Sequence, residues 1–115
     1  MRINGNGNVG IGTSTPHAAL QFGNFTSNRK IVFYEAANND HQFNGFGLNA
    51  GVLRFQVNNT GDDFVYYAGT SSTTSNEIIR IKGSGNVGIG TSGPNAPLQF
   101  ANTAVNRKIV LYDAN

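Results

Sequence analysis

The chain has 115 residues, of which 12% are charged, and its formal net charge at neutral pH is +2. So small and scattered a charge argues against a nucleic-acid partner, and the absence of cysteine excludes disulfides and thiolate metal sites. No apolar run approaches the ~20 residues of a membrane-spanning helix, so no membrane insertion is expected. The 17 asparagines and 15 glycines are typical of disordered chains, but eight phenylalanines and four tyrosines predict a folded protein.

The sequence contains an internal repeat with a fixed spacing. Residues 2–37 recur as 80–115, with 24 of the 36 positions identical. A fixed spacing within one chain is the signature of a modular array, in which each unit is stabilised by contacts with its neighbours. The chain is therefore expected to hold one full unit and the first half of the next. Met1 aligns with the apolar Ile79, so the first three residues are interpreted either as an internal strand end or as a start codon placed over one.

Residues 1–22 form a connector rich in glycine and asparagine. Strand alternation places Val9 and Ile11 on one side and Gly10 and Gly12 on the other, so one side has almost no side chains. Glycine inside a strand is usually kept where another backbone approaches closely. The connector is thus predicted to intertwine with the connectors of other copies of the chain. Val9 and Ile11 would pack against their equivalents at the centre of that assembly.

Residues 23–81 form the body of the unit, which carries almost all the aromatic residues and no pattern typical of a helix. Short runs of alternating or continuous apolar residues are separated by clusters of turn residues. The predicted strands include 31–34 and 64–67, both with the composition of strands buried on both faces, a hairpin of 43–48 and 52–57, and 78–81. We expect six or seven short strands per unit and an all-β fold.

Residues 82–100 repeat the connector, and residues 101–115 begin a second body. The first body has few large apolar side chains for its length. A single copy would therefore bury too little apolar surface to offset the conformational entropy lost on folding. Cores shared between chains are predicted for this reason.

Residues 5–10 and 83–88 both match the dinucleotide fingerprint G-x-G-x-x-G. That motif binds a pyrophosphate only where it leads from a strand into a helix, whose N-terminal amides receive the phosphate. The residues that follow, 13–16 and 91–94, are typical of turns. We therefore interpret both matches as structural turns, and we expect no nucleotide cofactor.

The titratable residues do not form a recognisable catalytic or metal-binding motif. His17 is replaced by Asn95 in the second copy, which excludes a metal site repeated with the unit. Asp40–His41 and Asp62–Asp63 lie in predicted turns, where acidic side chains commonly bond to their own backbone. Calcium at Asp62 and Asp63 is the better of the two metal alternatives. No catalytic triad can be assembled, so we expect neither enzymatic activity nor a cofactor or metal.

Tyr66 and Tyr67, together with Phe43 and Phe46, are a candidate sugar-stacking surface. Aromatic residues in a small β unit more often belong to the core. A cell-surface glycan is the alternative partner, bound through exposed Tyr66 and Tyr67 or through the loop 69–76.

The connector resembles a motif in the shafts of phage tail fibres and related trimeric adhesins. The resemblance rests on residues 8–13 with Pro16 and Leu20, which fit the pattern GNVGIGT-x-x-P followed by Leu, and on the same pattern in 86–98. It implies a repetitive fibrous homotrimer in which small β-sheet bodies are joined by intertwined connectors, on a virion surface or in an extracellular fibre. Neighbouring repeat units of a longer fibre would be further partners.

The resemblance also implies roles for individual residues. Side chains near the threefold axis would be Val9, Ile11, Val87 and Ile89. The connector turns would be formed by Gly7, Gly10, Gly12, Pro16, Gly85, Gly88, Gly90 and Pro94. The leading hypothesis is a structural shaft repeat that presents a distal receptor-binding tip for host attachment. The alternative is a carbohydrate-binding adhesin module of a bacterial or viral surface fibre.

Overall fold

The computed structural model describes residues 1–104, 108 and 109, and all of its regular structure is β-strand. The all-β prediction is therefore confirmed. No helix in the described part of the chain could cross a membrane. The strands are β1 (Arg2–Ile3), β2 (Val9–Ile11), β3 (Leu20–Phe22), β4 (Ser27–Glu35), β5 (Phe43–Asn49), β6 (Val52–Gln56), β7 (Asp63–Gly69), β8 (Ser75–Lys82), β9 (Val87–Ile89) and β10 (Leu98–Phe100).

The chain divides into two compact units, Met1–Asn58 and Asn59–Asn115. The first unit holds two three-stranded sheets, ordered β1-β2-β3 and β4-β5-β6, and the second holds one four-stranded sheet, ordered β10-β9-β8-β7. Strands β7 and β8 of the predicted body thus share a sheet with the second connector. The predicted connector and body boundaries stay predictions, and most of the predicted second body, 101–115, lies outside the described residues.

Each connector contains a pair of parallel strands. Strand β2 pairs with β3 in parallel, and β9 pairs with β10 in the same way, with registers Val9↔Leu20 and Val87↔Leu98. Only eight residues, 12–19 or 90–97, join the two strands of each pair. Parallel neighbours usually need a connection of about a dozen residues or more, so these crossover loops are unusually tight.

The predicted hairpin of the body is confirmed as β5 and β6. The strands are antiparallel, and Asn49 pairs with Val52 at the end of the ladder. Gly51 in the turn adopts a φ of 73°, a left-handed conformation that glycine takes without a steric penalty.

Strand β4 lies unusually close to β5. Its pairing with β5 shifts register between Ser27 and Ile31. A Cβ atom added at Gly45 would overlap the carbonyl oxygen of Ile31, and one added at Gly47 would overlap that of Asn28. Glycine at these two positions therefore allows the irregular strand to pack against its neighbour.

The apolar side chains of the body are much less buried than its sequence indicates. Phe43 on β5 is the one large apolar side chain in the described residues that is fully buried. The prediction that 31–34 is buried on both faces is wrong, since Val32, Phe33 and Tyr34 are exposed, Phe33 by 69%. The same prediction for 64–67 is wrong for Tyr66 and Tyr67, which are also exposed. The reason is that no second layer of described residues covers these side chains.

We predict that Gly47→Ala destabilises the first unit by about 2–3 kcal/mol, because the new methyl group forces β4 away from β5. Urea unfolding followed by circular dichroism measures the change. Gly5→Ala is the matched control in the same unit, because a Cβ atom there meets nothing within 4 Å. Equal stability of the two variants would contradict the close approach of β4 to Gly47.

Candidate functional site

One face of the β1-β2-β3 sheet is wholly apolar. Directly paired residues project to the same side of a sheet, and the ladder pairs Ile3 with Val9 and Val9 with Leu20. The next pair along is Ile11 with Phe22. We call this set the first repeat face. Its residues are Ile3, Val9, Ile11, Leu20 and Phe22.

The β10-β9-β8-β7 sheet carries the same face in the second copy of the repeat. The ladder pairs Ile81 with Val87, Val87 with Leu98 and Ile89 with Phe100. We call this set the second repeat face. Its residues are Ile81, Val87, Ile89, Leu98 and Phe100. All five match their counterparts in the first copy, and Ile79, Phe64 and Tyr66 extend this face along β8 and β7.

Both repeat faces are open. In the first, Ile11 is 43% exposed and Leu20 is 55% exposed. In the second, Ile89 and Leu98 are also exposed. Contiguous apolar surface of this kind makes both repeat faces candidate interaction surfaces.

The opposite face of each connector sheet carries polar side chains on either side of a glycine. Arg2, Gly10 and Gln21 are paired in a row across the first sheet. Their equivalents in the second sheet are Arg80, Gly88 and Gln99. Each connector sheet is thus amphipathic with the period of two expected of a β-strand.

The crossover loop packs against this face at the glycine. A Cβ atom added at Gly10 would lie 2.5 Å from the carbonyl oxygen of Thr13 and 3.4 Å from Cδ of Pro16. At Gly88 the carbonyl oxygen of Thr91 would be equally close. The close approach at these glycines is made by their own loop; approach by another chain stays a prediction.

Side-chain amides anchor the loop in both copies. The carbonyl oxygen of buried Pro16 accepts hydrogen bonds of 3.2 Å from Asn8 Nδ2 and from Asn4 Nδ2. The carbonyl oxygen of buried Pro94 accepts one of 3.1 Å from Asn86 Nδ2. The sequence replaces Asn4 by Lys82, so the second loop has one anchoring amide where the first has two.

A glutamine completes each loop. The backbone N–H of His17 donates to Oε1 of Gln21 at 2.8 Å, and the N–H of Asn95 donates to Oε1 of Gln99 at the same distance. Because only the backbone of His17 is used, its replacement by Asn95 keeps the bond.

The prediction that Gly10 and Gly88 form turns is wrong, since both lie in strands, where they admit the crossover loop. Four other connector glycines do lie in turns. Positive φ angles occur at Gly7 (81°), Gly12 (75°), Gly85 (106°) and Gly90 (69°). After each G-x-G-x-x-G match the described chain continues from a strand into the crossover loop. Neither match therefore has the helix that would present amides to a phosphate.

An ion-pair cluster lies on the polar face of the second sheet. Arg80 Nη2 is 2.6 Å from Oε2 of Glu77, and Arg80 Nη1 also pairs with Asp63. The hydrogen bonds from Arg80 lower the pKa of both carboxyl groups, and the N–H of Gly83 lowers that of Asp63 further. The two carboxylates in turn raise the pKa of Arg80.

One carboxylate of each metal alternative pairs with an arginine. Asp63 is engaged by Arg80, and Asp40 accepts a bond of 3.0 Å from Arg29 Nε. Within residues 1–104, 108 and 109, no three acidic or histidine side chains are grouped so as to hold a metal ion.

The two tyrosines of the predicted glycan surface point to opposite faces. Tyr66 is paired with Ile79 on the second repeat face, whereas Tyr67 is paired with Glu77 on the polar face. Phe43 is fully buried and therefore does not contribute to an exposed surface. Tyr66 and Tyr67 therefore do not share one stacking platform.

The body of the first unit adds a second apolar surface. A groove of about 450 Å³ is lined mainly by apolar side chains of β4, β5 and β6 together with Phe22. Phe46 stands edge-on to Phe33 and to Phe55, with ring centroids 5.4 and 5.1 Å apart. The lining side chains include Ile31, Phe46, Leu48, Leu53 and Phe55. Since Phe22 also belongs to the first repeat face, the two apolar surfaces are continuous.

A lysine of β4 is held against the short segment that follows β3. Lys30 Nζ donates to the carbonyl oxygen of Gly23 at 2.6 Å and lies 3.7 Å from the ring centre of Phe25. In the second copy, Lys108 Nζ donates to the carbonyl oxygen of Ala101 at 2.7 Å. The repeat therefore preserves this link as well.

The predicted axial residues Val9, Ile11, Val87 and Ile89 all lie on the repeat faces. Sequence reasoning missed the other six members, which are Ile3, Leu20, Phe22, Ile81, Leu98 and Phe100. Their signal was present as identity between the two copies and as apolar alternation in Leu-Gln-Phe. Placing them on the same face required the parallel register of β3 and β10.

We predict that Asn86→Ala loosens its loop more than Asn8→Ala does, because Asn4 still donates to Pro16 in the first copy. Loss of one such bond costs about 1 kcal/mol, or roughly a fivefold change in an equilibrium. Amide hydrogen exchange of Asn95 should accelerate by that factor in Asn86→Ala. Exchange of His17 should change less in Asn8→Ala, and equal changes would contradict the unequal anchoring.

We predict that the Arg80 cluster makes stability fall in acid. The folded pKa values of Asp63 and Glu77 are below their unfolded values of about 4. Their stabilisation is therefore present above about pH 4 and is lost as the pH falls through the folded pKa values. Thermal melting between pH 7 and pH 2 measures this loss.

Arg80→Met should flatten that acid dependence, because the carboxyl pKa values return toward those of the unfolded chain. Arg2→Met is the matched control, since Arg2 occupies the equivalent position and makes no ion pair with a described residue. Identical pH profiles for the two variants would contradict a role of the cluster.

No protein-family model matches this chain, and a search of curated proteins finds no significant similarity.

Proposed function

We propose that this chain is a structural repeat of a homotrimeric viral or phage fibre shaft, which holds a distal receptor-binding tip away from the particle. In this role the protein acts without catalysis or a cofactor, on a virion surface or in an extracellular fibre. One observation carries the proposal. The same five apolar residues are displayed on one open sheet face in both copies of the repeat.

The energetics of burial support self-association. Twenty large apolar side chains in the described residues are exposed, and Phe43 alone is fully buried. Full burial of one such side chain is worth roughly 1.5–3 kcal/mol. Covering a repeat face with the same face of other protomers would supply the core that a single copy lacks. Folding and assembly would then be coupled, as in obligate oligomers.

The amphipathic sheets suit a closed assembly around an axis. With the apolar faces inward, the polar faces with Arg2, Gln21 and the crossover loops would face water. The fixed spacing of the repeat would set one apolar patch per unit along the axis, which is the property of a shaft. Three protomers, and not two, are proposed because of the resemblance of the connector to fibre shafts.

We predict a solution mass of about 37 kDa for the chain, three times its 12.2 kDa. Ile11→Asp combined with Ile89→Asp should lower this mass to that of a monomer, because burying an unpaired carboxylate costs several kcal/mol. Light scattering after size-exclusion chromatography, or sedimentation equilibrium, measures the mass.

Ser84→Asp is the control for added charge, since Ser84 lies exposed in a turn away from the repeat faces. It should leave the mass unchanged. A wild-type mass equal to that of a single chain, or an undiminished trimer in the double variant, would overturn the proposal.

A further inference from the structure

The two copies of the connector sheet differ at one edge. Among the described strands, β1 has β2 as its one neighbour and so lies at the edge of its sheet. Its equivalent β8 lies between β9 and β7. The second copy thus shows an added strand at a place where the first copy has an open edge.

The backbone registers of the two edges are equivalent. Arg2 pairs with Gly10 as Arg80 pairs with Gly88, and Ile3 pairs with Val9 as Ile81 pairs with Val87. On the far side of β8, Val65 pairs with Arg80 and Phe64 with Ile81. The outer edge of β1 therefore offers Arg2 and Ile3 in the arrangement to which β7 binds on β8. Open strand edges are templates for pairing.

The side chains show what the added strand contributes. Ile81, beside β7, is 37% exposed, whereas its counterpart Ile3 is 63% exposed. Arg80 pairs with Asp63 of β7, whereas Arg2 has no ion pair with any described residue. In the second copy, β7 partly covers Ile81 and its Asp63 pairs with Arg80. In the first copy, the counterparts of these two residues are an exposed apolar side chain and a cation without a described ion pair.

We propose that the outer edge of β1 is a docking site for an antiparallel strand with the chemistry of β7. The occupant is a second copy of the segment 59–79, placed directly before Arg2. Its Phe64 would pair with Ile3, its Val65 with Arg2, and its Asp63 carboxylate would bind the Arg2 guanidinium. The site holds the strand by β-augmentation, with main-chain bonds for affinity and the Asp–Arg pair for register.

Such docking would link successive units through one continuous sheet. The last strands of one unit would pair with the connector strands of the following unit. Neighbouring units would then stabilise each other, as in other repeat proteins. The inference depends on the comparison of the two copies and holds whether or not the repeat faces trimerise.

The test extends the full chain by a copy of residues 59–79 in place of Met1, immediately before Arg2. Successive N–H groups along a strand point to opposite edges, so one of the Arg2 and Ile3 amides faces the new strand. Its hydrogen exchange should slow by about tenfold or more, toward the rate of the matching amide in Arg80 or Ile81. An unchanged rate would overturn the proposal.

Two variants of the added copy test the register. Asp63→Lys in that copy should reverse most of the protection, because it places a cation against Arg2. Asp62→Lys should leave the protection in place, since Arg80 pairs with Asp63 and not with Asp62 in the second unit. Equal effects of the two substitutions would contradict the proposed pairing with Arg2.

Discussion

The alternation of side chains across the connector sheets is the constraint on which the rest of this structure depends. Every second residue of β2, β3, β9 and β10 is large and apolar, and the residues between them are Gly10, Gln21 and their equivalents. Because side chains of a strand alternate strictly, one face is wholly apolar and the other is free to receive the crossover loop. A substitution at Gly10 would displace the loop, whereas one at Ile11 would alter only the open face.

Glycine and amide side chains take the place of a conventional core in this protein. Glycines at positions 10, 45 and 47 let backbone segments pack at distances that a Cβ atom would forbid. Asn8 and Gln21 then satisfy the polar groups of the crossover loop. These devices order the described chain while leaving most of its large apolar side chains exposed, as the proposed association with other copies requires. The high glycine and asparagine content is in this way linked to the proposed role as a shaft repeat.

Features that depend on neighbouring residues were predictable from the sequence, whereas features that depend on segments distant in the chain were not. The hairpin of β5 and β6 was predictable because its turn, Gly51 included, and its alternation are local. The burial of 31–34 on both faces was predicted wrongly. A continuous apolar run has the same sequence pattern whether or not a second layer of structure covers the strand. The pairing of β2 with β3 was missed, since an eight-residue parallel crossover has no local signature of its own.

The order of amino acids was enough to establish that the chain is all-β and that residues 2–37 recur as 80–115. It also placed Val9 and Ile11 on one side of their strand, opposite a side occupied by glycine. Those properties follow from alternation and identity along the chain. The folded arrangement was needed to show that Leu20 and Phe22 join that side, that Gly10 makes room for its own loop, and that β1 has an open edge where β8 has a partner. Such facts depend on which strands pair and in what register, and pairing between distant segments is set by the packing of the whole unit and not by any local pattern.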